Sequence, residues 1–392
     1  MADIKGLSGF RTAKDKAAAV ATPPYDVIKE GSPLEARLQA NPDSFFHVTL
    51  GQRPAQALRA LQERGVLIPD TEPCFYVYEQ KWDAAHGGAT GERLGFFAAV
   101  AVSAYSHHQI IRHEKTFDEK VKGRIKVTND TGLTLEPIFL LTRSPIQPIL
   151  ERIRAQGVPD YAFTSDFGGW NDLHGIASRI FRVPEATPAG QELRAAVAGN
   201  PLYIADGHHR YHAALLNGQT HAMAYIVEKA RILAYNRVIN GKVKFRDLVK
   251  KLDLTPTADF HTPEKHAFCL YSKEGCFLLP AKSVPDDVVG RLDCRILEKE
   301  LYSALGVEHS MILKKEYFDY YPESELATMK ALVDKGEYDL AVALCPVSIG
   351  ELMDVANAGL DNPEVVMPEK STFFAPKILS GLVLYRHHKK PM

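Results

Sequence analysis

The chain has 392 residues, of which 45% are hydrophobic and 24% charged, so it is long enough for two or three globular domains and too apolar to be largely disordered. Its 47 basic and 48 acidic side chains nearly cancel, which gives no overall attraction to nucleic acid or to an anionic membrane. No apolar run approaches the roughly 20 residues of a membrane span, and the first residues lack the apolar core of a signal peptide.

The cysteines are scattered and odd in number, and none forms a CxxC pair. Such a set predicts reduced thiols in a cytoplasmic protein and argues against a cysteine-based zinc site. They are Cys74, Cys269, Cys276, Cys294 and Cys345.

The first part of the chain predicts a proline-rich turn and then a β-hairpin. Ala21–Val27 holds two prolines and should be extended or turning. Helical spacing over Pro54–Gly65 predicts a helix. The strands Cys74–Tyr78 and Gly95–Val102, with a turn at His86–Gly88 between them, predict the hairpin.

The rest of the chain mixes helices and strands, which predicts α+β or α/β layers. The predicted helices are Glu114–Thr131, Pro148–Gln156, Gly190–Ala198, a helix from Tyr211, Phe245–Leu252, Asp293–Leu305, Pro322–Lys335 and Ile349–Ala358. The predicted strands are Pro137–Leu141, Leu202–Ala205, Ala222–Val227, the hairpin Ala267–Tyr271 with Cys276–Leu279, and Tyr338–Leu344.

The segment Asp206–Arg210 is the densest chemical signal. It reads DGHHR and joins an apolar strand to a helix, and Gly207 permits a left-handed turn there. Unpaired N–H groups at a helix start, together with His208, His209 and Arg210, predict an anion site best suited to phosphate. Asp206 could hold a metal ion or orient a hydroxyl.

A plain solvated first turn is the alternative for this segment, and a transition-metal site is a further one. His208 and His212 are four residues apart, as zinc ligands on one helix face are. The glutamate of an HExxH motif is missing between them, which argues against the metal.

Two weaker motifs lie elsewhere. Arg112–Thr116 reads RHEKT, in which Glu114 beside His113 could serve as a general base or could simply be a solvated charge. Lys370, Ser371 and Thr372 could bind phosphate or a carboxylate, although such triplets are common in loops. The P-loop, GxGxxG and GxSxG motifs are missing, so a nucleotide must be held by another device.

Taken in order, these segments resemble a prokaryotic family known as domain of unknown function 1015. The residues that carry the resemblance are Pro23–Ile28 (PPYDVI), Arg112–Thr116, Ile204–Tyr211 and the C-terminal signature Met367–Lys377. The match covers almost the whole chain. That family in turn resembles free-serine kinases with a ParB/sulfiredoxin-like fold, which phosphorylate L-serine with ADP or ATP.

The resemblance implies an α+β fold with three regions. These are an N-terminal family-specific region at 1–90, a ParB/sulfiredoxin-like nucleotide-binding core at 91–245, and a C-terminal α/β domain at 246–392 that completes the site. The kinase-like part spans roughly residues 91–377.

The resemblance also implies the roles of the site residues. The DGHHR turn would bind nucleotide phosphates, Glu114 would be the catalytic base, Asp206 would position Mg²⁺ or the acceptor hydroxyl, and Lys370, Ser371 and Thr372 would contact the substrate. Further candidates are His113, Tyr25, Asp26 and Arg237.

Two departures concern the acceptor half of the site. Phe373 and Phe374 replace an Arg-His pair of the kinases, and Ala234–Arg237 replaces the Pro-Thr-His-Arg of many family members. Phosphoryl or nucleotide chemistry is therefore better supported than serine as the acceptor.

We therefore expect a cytoplasmic small-molecule kinase that uses Mg²⁺ and ATP or ADP on a hydroxyl acceptor such as free L-serine. The alternative is a ParB-like nucleotide-binding switch or NTPase. The neutral charge and the lack of a basic stripe weigh against a nucleic-acid partner, and no membrane partner is expected. A sulfiredoxin-like reaction ranks last, because His208 stands near the place of its cysteine. The oligomeric state stays open, a homo-oligomer included.

Overall fold

The computed structural model describes residues 2–83, 90–167, 174–241, 245–312 and 314–388. Within these residues the fold is a mixture of α-helices and β-sheets, as expected for an α+β protein. The chain forms two compact units, unit 1 with Met1–Ala230 and Pro376–Met392, and unit 2 with Arg231–Ala375. The predicted turn at His86–Gly88 lies outside the described residues.

The described strands are numbered in chain order. They are β1 Ile4–Lys5, β2 Gly9–Thr12, β3 Leu67–Pro69, β4 Cys74–Trp82, β5 Gly91–Ala101, β6 Ile110–Ile111, β7 Leu133–Thr134, β8 Ile138–Thr142, β9 Tyr161–Asp166, β10 His174–Pro184, β11 Leu202–Asp206, β12 His221–Val227, β13 Arg231–Leu233, β14 Tyr235–Ile239, β15 Thr255–Thr257, β16 Ala267–Ser272, β17 Gly275–Pro280, β18 Phe318–Pro322, β19 Leu340–Leu344, β20 Phe373–Ala375 and β21 Val383–Arg386.

The described α-helices are numbered in the same way. They are α1 Ala17–Val20, α2 Pro33–Ala40, α3 Phe46–Thr49, α4 Pro54–Glu63, α5 Asp118–Thr131, α6 Gln147–Gln156, α7 Pro188–Val197, α8 His208–Leu216, α9 Phe245–Leu252, α10 Asp293–Leu297, α11 Ser303–Leu305, α12 Leu326–Lys335 and α13 Ile349–Asp361, with a π-helical turn at Glu298–Tyr302 between α10 and α11. Short 3₁₀ turns lie at Lys14–Lys16, Tyr25–Val27, Tyr105–His107, His309–Met311 and Glu323–Glu325. Across the described residues, every helix is too short or too polar to cross a bilayer.

The main sheet of unit 1 has the strand order β6-β11-β8-β12-β5-β4-β10-β9, with β1 added on β5. Its central strands are nearly continuous apolar runs because they are covered on both faces. The core beneath them includes Phe96, Leu140, Ile204 and Ile226. β6 runs parallel to β11, and β8 runs parallel to β12. The other pairs of this sheet are antiparallel.

A second sheet of unit 1 has the order β3-β2-β21-β7. Its inner strand β21 pairs antiparallel with β2 and β7, so the C-terminal segment of the chain completes a sheet that begins near the N-terminus. A separate apolar cluster that includes Phe45, Leu61 and Leu384 packs beneath it.

Unit 2 is built on a sheet of order β15-β17-β16-β19-β14-β18, and the pair β13-β20 lies apart from that sheet. Helix α12 packs on it with Met329 and Val333 fully buried. Helix α13 begins with a capping box, in which Ser348 and Glu351 bond each other's backbone N–H groups.

Most of the predicted elements are present. The compact units have other boundaries than the predicted regions 1–90, 91–245 and 246–392, and those regions stay a prediction. The hairpin β4–β5 spans the first predicted boundary, with Trp82 opposite Gly91. Strands β13 and β14 belong to unit 2, and β21 belongs to unit 1. Pairing between distant strands therefore places the divisions after Ala230 and Ala375.

The region 143–200, for which the sequence predicts a mixture that includes two helices, contains two strands as well. Helices α6 and α7 are present as predicted, but β9 and the long β10 lie between them. Polar residues of β10 are stabilised across the sheet, since Arg179 is opposite Glu79 of β4 and forms an ion pair with it. A partner that lies 100 residues away in the chain leaves no local signal in the sequence.

Candidate functional site

The candidate site lies where two parallel strands of unit 1 end. β6 and β11 run side by side, with Leu202 opposite Ile110 and Tyr203 opposite Ile111. The loop after β6 carries His113 and Glu114, and β11 ends at Asp206. Because the carboxyl ends of parallel strands meet at one sheet edge, two segments that are distant in the sequence come together there.

Helix α8 starts at this edge, directly after Gly207. Gly207 has a φ of +95°, in the left-handed region that favours glycine. A Cβ at this position would lie 2.8 Å from Nε of Arg210, so the missing side chain also leaves room for that guanidinium. The Tyr211 N–H donates to the Gly207 carbonyl, and the preceding N–H groups of the turn therefore have no helical acceptor. This helix start is suited to an anion.

Glu114 is held between two histidines. Its Oε2 lies 3.4 Å from Nδ1 of His208, and its Oε1 lies 3.7 Å from Nε2 of His113. The His113 backbone N–H donates to Nε2 of His208 at 3.4 Å. That nitrogen must therefore carry a lone pair, so the proton of neutral His208 sits on Nδ1 and points at Glu114.

The charges of this group differ from the ordinary ones. Burial, aided by the neighbouring His113, lowers the pKa of His208 to about 3, so His208 is neutral at pH 7. Burial would raise the pKa of Glu114, but His208 and His113 outweigh it and lower that pKa to about 2. Glu114 is thus an ionised carboxylate whose side chain is 29% exposed, between imidazoles that are almost fully buried.

Asp206 lies between two cations. Its Oδ1 is 3.3 Å from Nη2 of Arg210, and its Oδ2 is 3.4 Å from Nζ of Lys377. Burial would raise the pKa of Asp206, but Lys377 and Arg210 hold it well below its usual range. Sequence reasoning missed Lys377 as a site residue, although it closes the C-terminal signature at Pro376-Lys377.

Arg210 also connects the site to the N-terminal residues. Its Nη1 donates to the Pro137 carbonyl at 2.5 Å. Burial would lower the pKa of Arg210, but Asp206, Glu136 and Asp26 raise it. Glu136, which sequence reasoning also missed, is 4% exposed and accepts the Tyr25 N–H at 3.2 Å. Tyr25 and Asp26 therefore pack on the Arg210 side of the site.

His209 points to the other side of α8. Its ring stacks on Phe117 with a centroid distance of 5.6 Å, and burial lowers its pKa. Nε2 of His209 is buried without a hydrogen-bond partner among the described residues. His209 therefore packs against the loop that carries Glu114.

The predicted triplet Lys370–Thr372 belongs to unit 2. Lys370 is exposed and has a φ of +57°, which is uncommon for a residue with a Cβ. Its ammonium lies 5.6 Å from the ring centroid of Tyr235. Ser371 is buried and accepts the Cys294 thiol at 3.2 Å, and Thr372 is half-buried. Their predicted contact with the substrate stays a prediction.

Arg237 is also in unit 2, on β14. It is buried, and it donates to the Tyr302 hydroxyl at 2.8 Å and to the Tyr235 carbonyl at 2.7 Å. Phe373 and Phe374, which replace a polar pair of the kinases, are buried in β20 opposite Leu233 and Ile232 of β13. The two phenylalanines thus serve the packing of unit 2.

A metal ion could be considered at two places. One donor atom each of His113, Glu114 and His208 lie within 4.8 Å of one another. The hydrogen bond that puts the proton of His208 on Nδ1 makes this atom a donor to Glu114, which disfavours a transition metal there. The carboxylate of Asp206, ionised and 28% exposed, is the hard oxygen ligand that Mg²⁺ prefers when it also binds phosphates.

Comparisons with known proteins give one family and several similar structures. A family model described as "Protein of unknown function (DUF1015)" matches residues 4–295. No curated protein matches the chain. A solved structure of a free serine kinase in complex with AMP is 18% identical, with a TM-score of 0.37, over 74% of this chain and 92% of the kinase.

Two further solved structures are similar at lower TM-scores. A conserved hypothetical protein from Pyrococcus furiosus is 19% identical over 72% of this chain and 92% of its own, with a TM-score of 0.35. C-terminally truncated SbnI from Staphylococcus aureus is 11% identical over 63% of this chain and 81% of its own, with a TM-score of 0.28.

Proposed function

This chain belongs to the DUF1015 family, and from that premise we propose that it is a small-molecule kinase, which transfers a phosphoryl group from ATP or ADP to a hydroxyl group. The observation that carries the proposal is the position of Glu114. An ionised, partly exposed carboxylate stands beside a helix start that is suited to phosphate. A proton acceptor and an anion site at the same sheet edge are the two parts that transfer to a hydroxyl requires.

In the proposed reaction the phosphates of the nucleotide lie at the start of α8. The N–H groups after Gly207 bind them, and the Arg210 guanidinium neutralises their charge. Glu114 accepts the proton of the acceptor hydroxyl as the bond to phosphorus forms. The negative charge of a bound phosphate raises the pKa of Glu114 from its low value in the free protein, which makes it a better base.

His208 and His113 support Glu114. The Nδ1–H of neutral His208 points at Oε2 of the carboxylate, while Oε1 lies beside Nε2 of His113. Asp206 would hold Mg²⁺, which would neutralise phosphate charge when bound. His209 and the turn that holds Tyr25 and Asp26 are the other candidate residues around this site.

The acceptor is proposed on the resemblance to the free-serine kinases as free L-serine or a related hydroxy compound. Lys370, Ser371 and Thr372 are proposed to contact the acceptor, and Arg237 is a further candidate for this contact. The assignment of the core to the ParB/sulfiredoxin-like fold, with the ranges 1–90, 91–245 and 246–392, belongs to the same proposal.

The decisive test uses Glu114→Gln, which keeps the size of the side chain and removes the base. We expect the variant to bind ATP and ADP as the parent does and to lose about 10²- to 10⁴-fold in transfer rate, the usual range for general-base catalysis. The assay incubates the protein with Mg²⁺, ATP or ADP, and L-serine, and detects O-phosphoserine by mass spectrometry.

Three outcomes are distinguishable in that assay. Product that disappears in Glu114→Gln supports the serine kinase. Nucleotide binding without phosphoserine directs the search to other hydroxylated acceptors or, if the nucleotide is only hydrolysed, to a nucleotide-dependent switch. A protein that binds neither ATP nor ADP is not a kinase.

A further inference from the structure

Lys377 is an unusual lysine, because its side chain is only 9% exposed. Its Nζ lies 3.4 Å from Oδ2 of Asp206, and the other carboxylate oxygen lies 3.3 Å from Nη2 of Arg210. Both distances exceed the roughly 2.7–2.9 Å of a tight charge-assisted hydrogen bond. Lys377 and Arg210 are therefore the two positive charges that an anion would meet beside Asp206.

The backbone at Lys377 is held by two buried side chains of the main sheet. Gln80 donates to the Lys377 carbonyl at 2.9 Å, and Arg93 donates to the Pro376 carbonyl at 2.6 Å. Gln80 of β4 and Arg93 of β5 are directly opposite each other and are hydrogen-bonded together. The position of the lysine is thus fixed from the centre of the sheet, almost 300 residues away in the chain.

The burial of the charged Arg93 at this position costs free energy of desolvation. Arg93 is 3% exposed, and its Nε and Nη1 have no hydrogen-bond partner among the described residues. Its guanidinium lies 4.9 Å from the ring centroid of Phe139 and 5.6 Å from that of Tyr225, which offsets a part of the desolvation. An apolar residue would be buried there at lower cost. The hydrogen bonds of Arg93 to the Pro376 carbonyl and to Gln80 both lead to the backbone at Lys377, which is what a charged side chain adds in this place.

We propose that Lys377 is a catalytic cation of the phosphoryl transfer, and that Gln80 and Arg93 are the residues that position it. This inference rests on the proposed kinase function. In the free protein Asp206 keeps the ammonium in place, and in the nucleotide complex the ammonium contacts the transferred phosphoryl group opposite Arg210.

The chemical step is then complete on the protein side. The acceptor oxygen bonds to the terminal phosphorus while the bond from phosphorus to the bridging oxygen breaks. The hydroxyl proton passes to Glu114, and the electron pair stays on the departing nucleotide. Lys377 and Arg210 neutralise the charge that spreads over the phosphoryl oxygens.

The test compares Lys377→Met with the matched control Lys126→Met, in which an exposed lysine of unit 1 is changed in the same way. ATP binding is measured by titration calorimetry. We expect Lys377→Met to weaken ATP binding by about 10- to 100-fold, as for the loss of a charged hydrogen bond. Lys126→Met should bind within about twofold of the parent.

If Lys377→Met does not fold, Lys377→Gln replaces it, since its amide can still donate to Asp206 but carries no charge. Unchanged ATP binding in a folded, uncharged Lys377 variant overturns the inference and leaves the kinase proposal standing. A parent protein that binds neither ATP nor ADP overturns the kinase proposal, and the inference with it.

The positioning role has its own readout, a double-mutant cycle. Gln80→Leu removes the bond to the Lys377 carbonyl and should weaken ATP binding in the parent. In the Lys377→Met background the same change should cost nothing further, because it acts through the lysine. Additive losses would instead assign Gln80 a structural role only.

Discussion

At the scale of single residues, the protonation state of His208 sets the charge beside Glu114. Its Nε2 accepts the His113 N–H, so a neutral His208 offers its proton to Glu114 without adding a charge. A charged imidazolium in the same place would bind Glu114 tightly and compete with an acceptor hydroxyl. In the proposed mechanism, the buried, neutral histidine thus orients Glu114 and leaves it free to accept a proton.

This arrangement predicts that the protein loses stability as the pH falls. The pKa of His208 is about 3 in the folded chain, against about 6.5 for an unfolded histidine. Between these values the unfolded chain binds more protons, so the free energy of unfolding decreases from about pH 6.5 downward. In His208→Asn, whose amide replaces Nδ1–H, denaturant unfolding at pH 7 and pH 5 should differ less than in the parent.

The exposed His107 offers the control for this prediction. His107→Asn should keep the difference of the parent between the two pH values. An equal pH dependence in His208→Asn and in the parent would show that His208 is not the group that is kept neutral by folding.

Gly207 is the second residue on which the site depends. Its φ of +95° lies in the left-handed region, and a Cβ there would lie 2.8 Å from the Arg210 guanidinium, so both features oppose a side chain. Gly218 has a φ of +66° but open space around it. We therefore expect Gly207→Ala to cost about 1–2 kcal/mol more than Gly218→Ala in urea unfolding, and to weaken nucleotide binding as well. Equal costs would mean that Arg210 moves away freely.

Sequence reasoning found the residues that follow each other in the chain and missed those that tertiary structure brings in. His113 with Glu114 and the segment Asp206–Arg210 are recognisable because each packs several polar side chains into one turn. Lys377 and Glu136 are single charges in apolar surroundings. Their place in the site follows from strand pairing and from buried partners, which no local pattern encodes.

At the scale of helices and strands, the surroundings of a glycine decide whether a side chain there would stabilise or destabilise the fold. Gly123 is an exposed residue in the middle of α5, and a Cβ there would have no atom within 4 Å. A Cβ at Gly95 of β5 would instead lie 2.5 Å from the Ile226 carbonyl oxygen. The sequence alone shows two glycines in otherwise regular segments. The packing of β12 against β5 decides between them.

Opposite effects on stability follow for the two glycines. Gly123→Ala should raise the free energy of unfolding by about 0.5–1 kcal/mol, because alanine is the better helix former. Gly95→Ala should lower it by about 1–3 kcal/mol, because the strands must move apart. Thermal unfolding of the two variants checks both, and a neutral Gly95→Ala would place β12 farther from β5.

At the scale of the whole molecule, the two units differ in continuity. Unit 2 is one stretch of chain, Arg231–Ala375, with its own sheet and apolar cluster. Unit 1 needs the segment from Pro376 onward, because β21 is an inner strand of the sheet β3-β2-β21-β7. A continuous stretch with its own core can fold alone, whereas a sheet that lacks an inner strand leaves the neighbouring strands unpaired.

We therefore expect residues 231–375, expressed alone, to give the dispersed NMR spectrum and cooperative unfolding of a folded protein. Residues 1–230 should not, unless residues 376–388 are added as a peptide or joined by a linker. A folded and cooperative 1–230 would show that β21 contributes little to unit 1.

The late position of β21 and Lys377 has a consequence for synthesis on the ribosome. After Ala230 the ribosome must add the whole of unit 2 before Pro376 and Lys377 follow. At about 5–20 residues per second this takes roughly 7–30 s, during which β2 and β7 lack the strand between them. The nascent protein therefore carries an open sheet edge and an Asp206 without Lys377 until residues 376–386 have been added, and a chain that stops before them leaves that edge exposed to association.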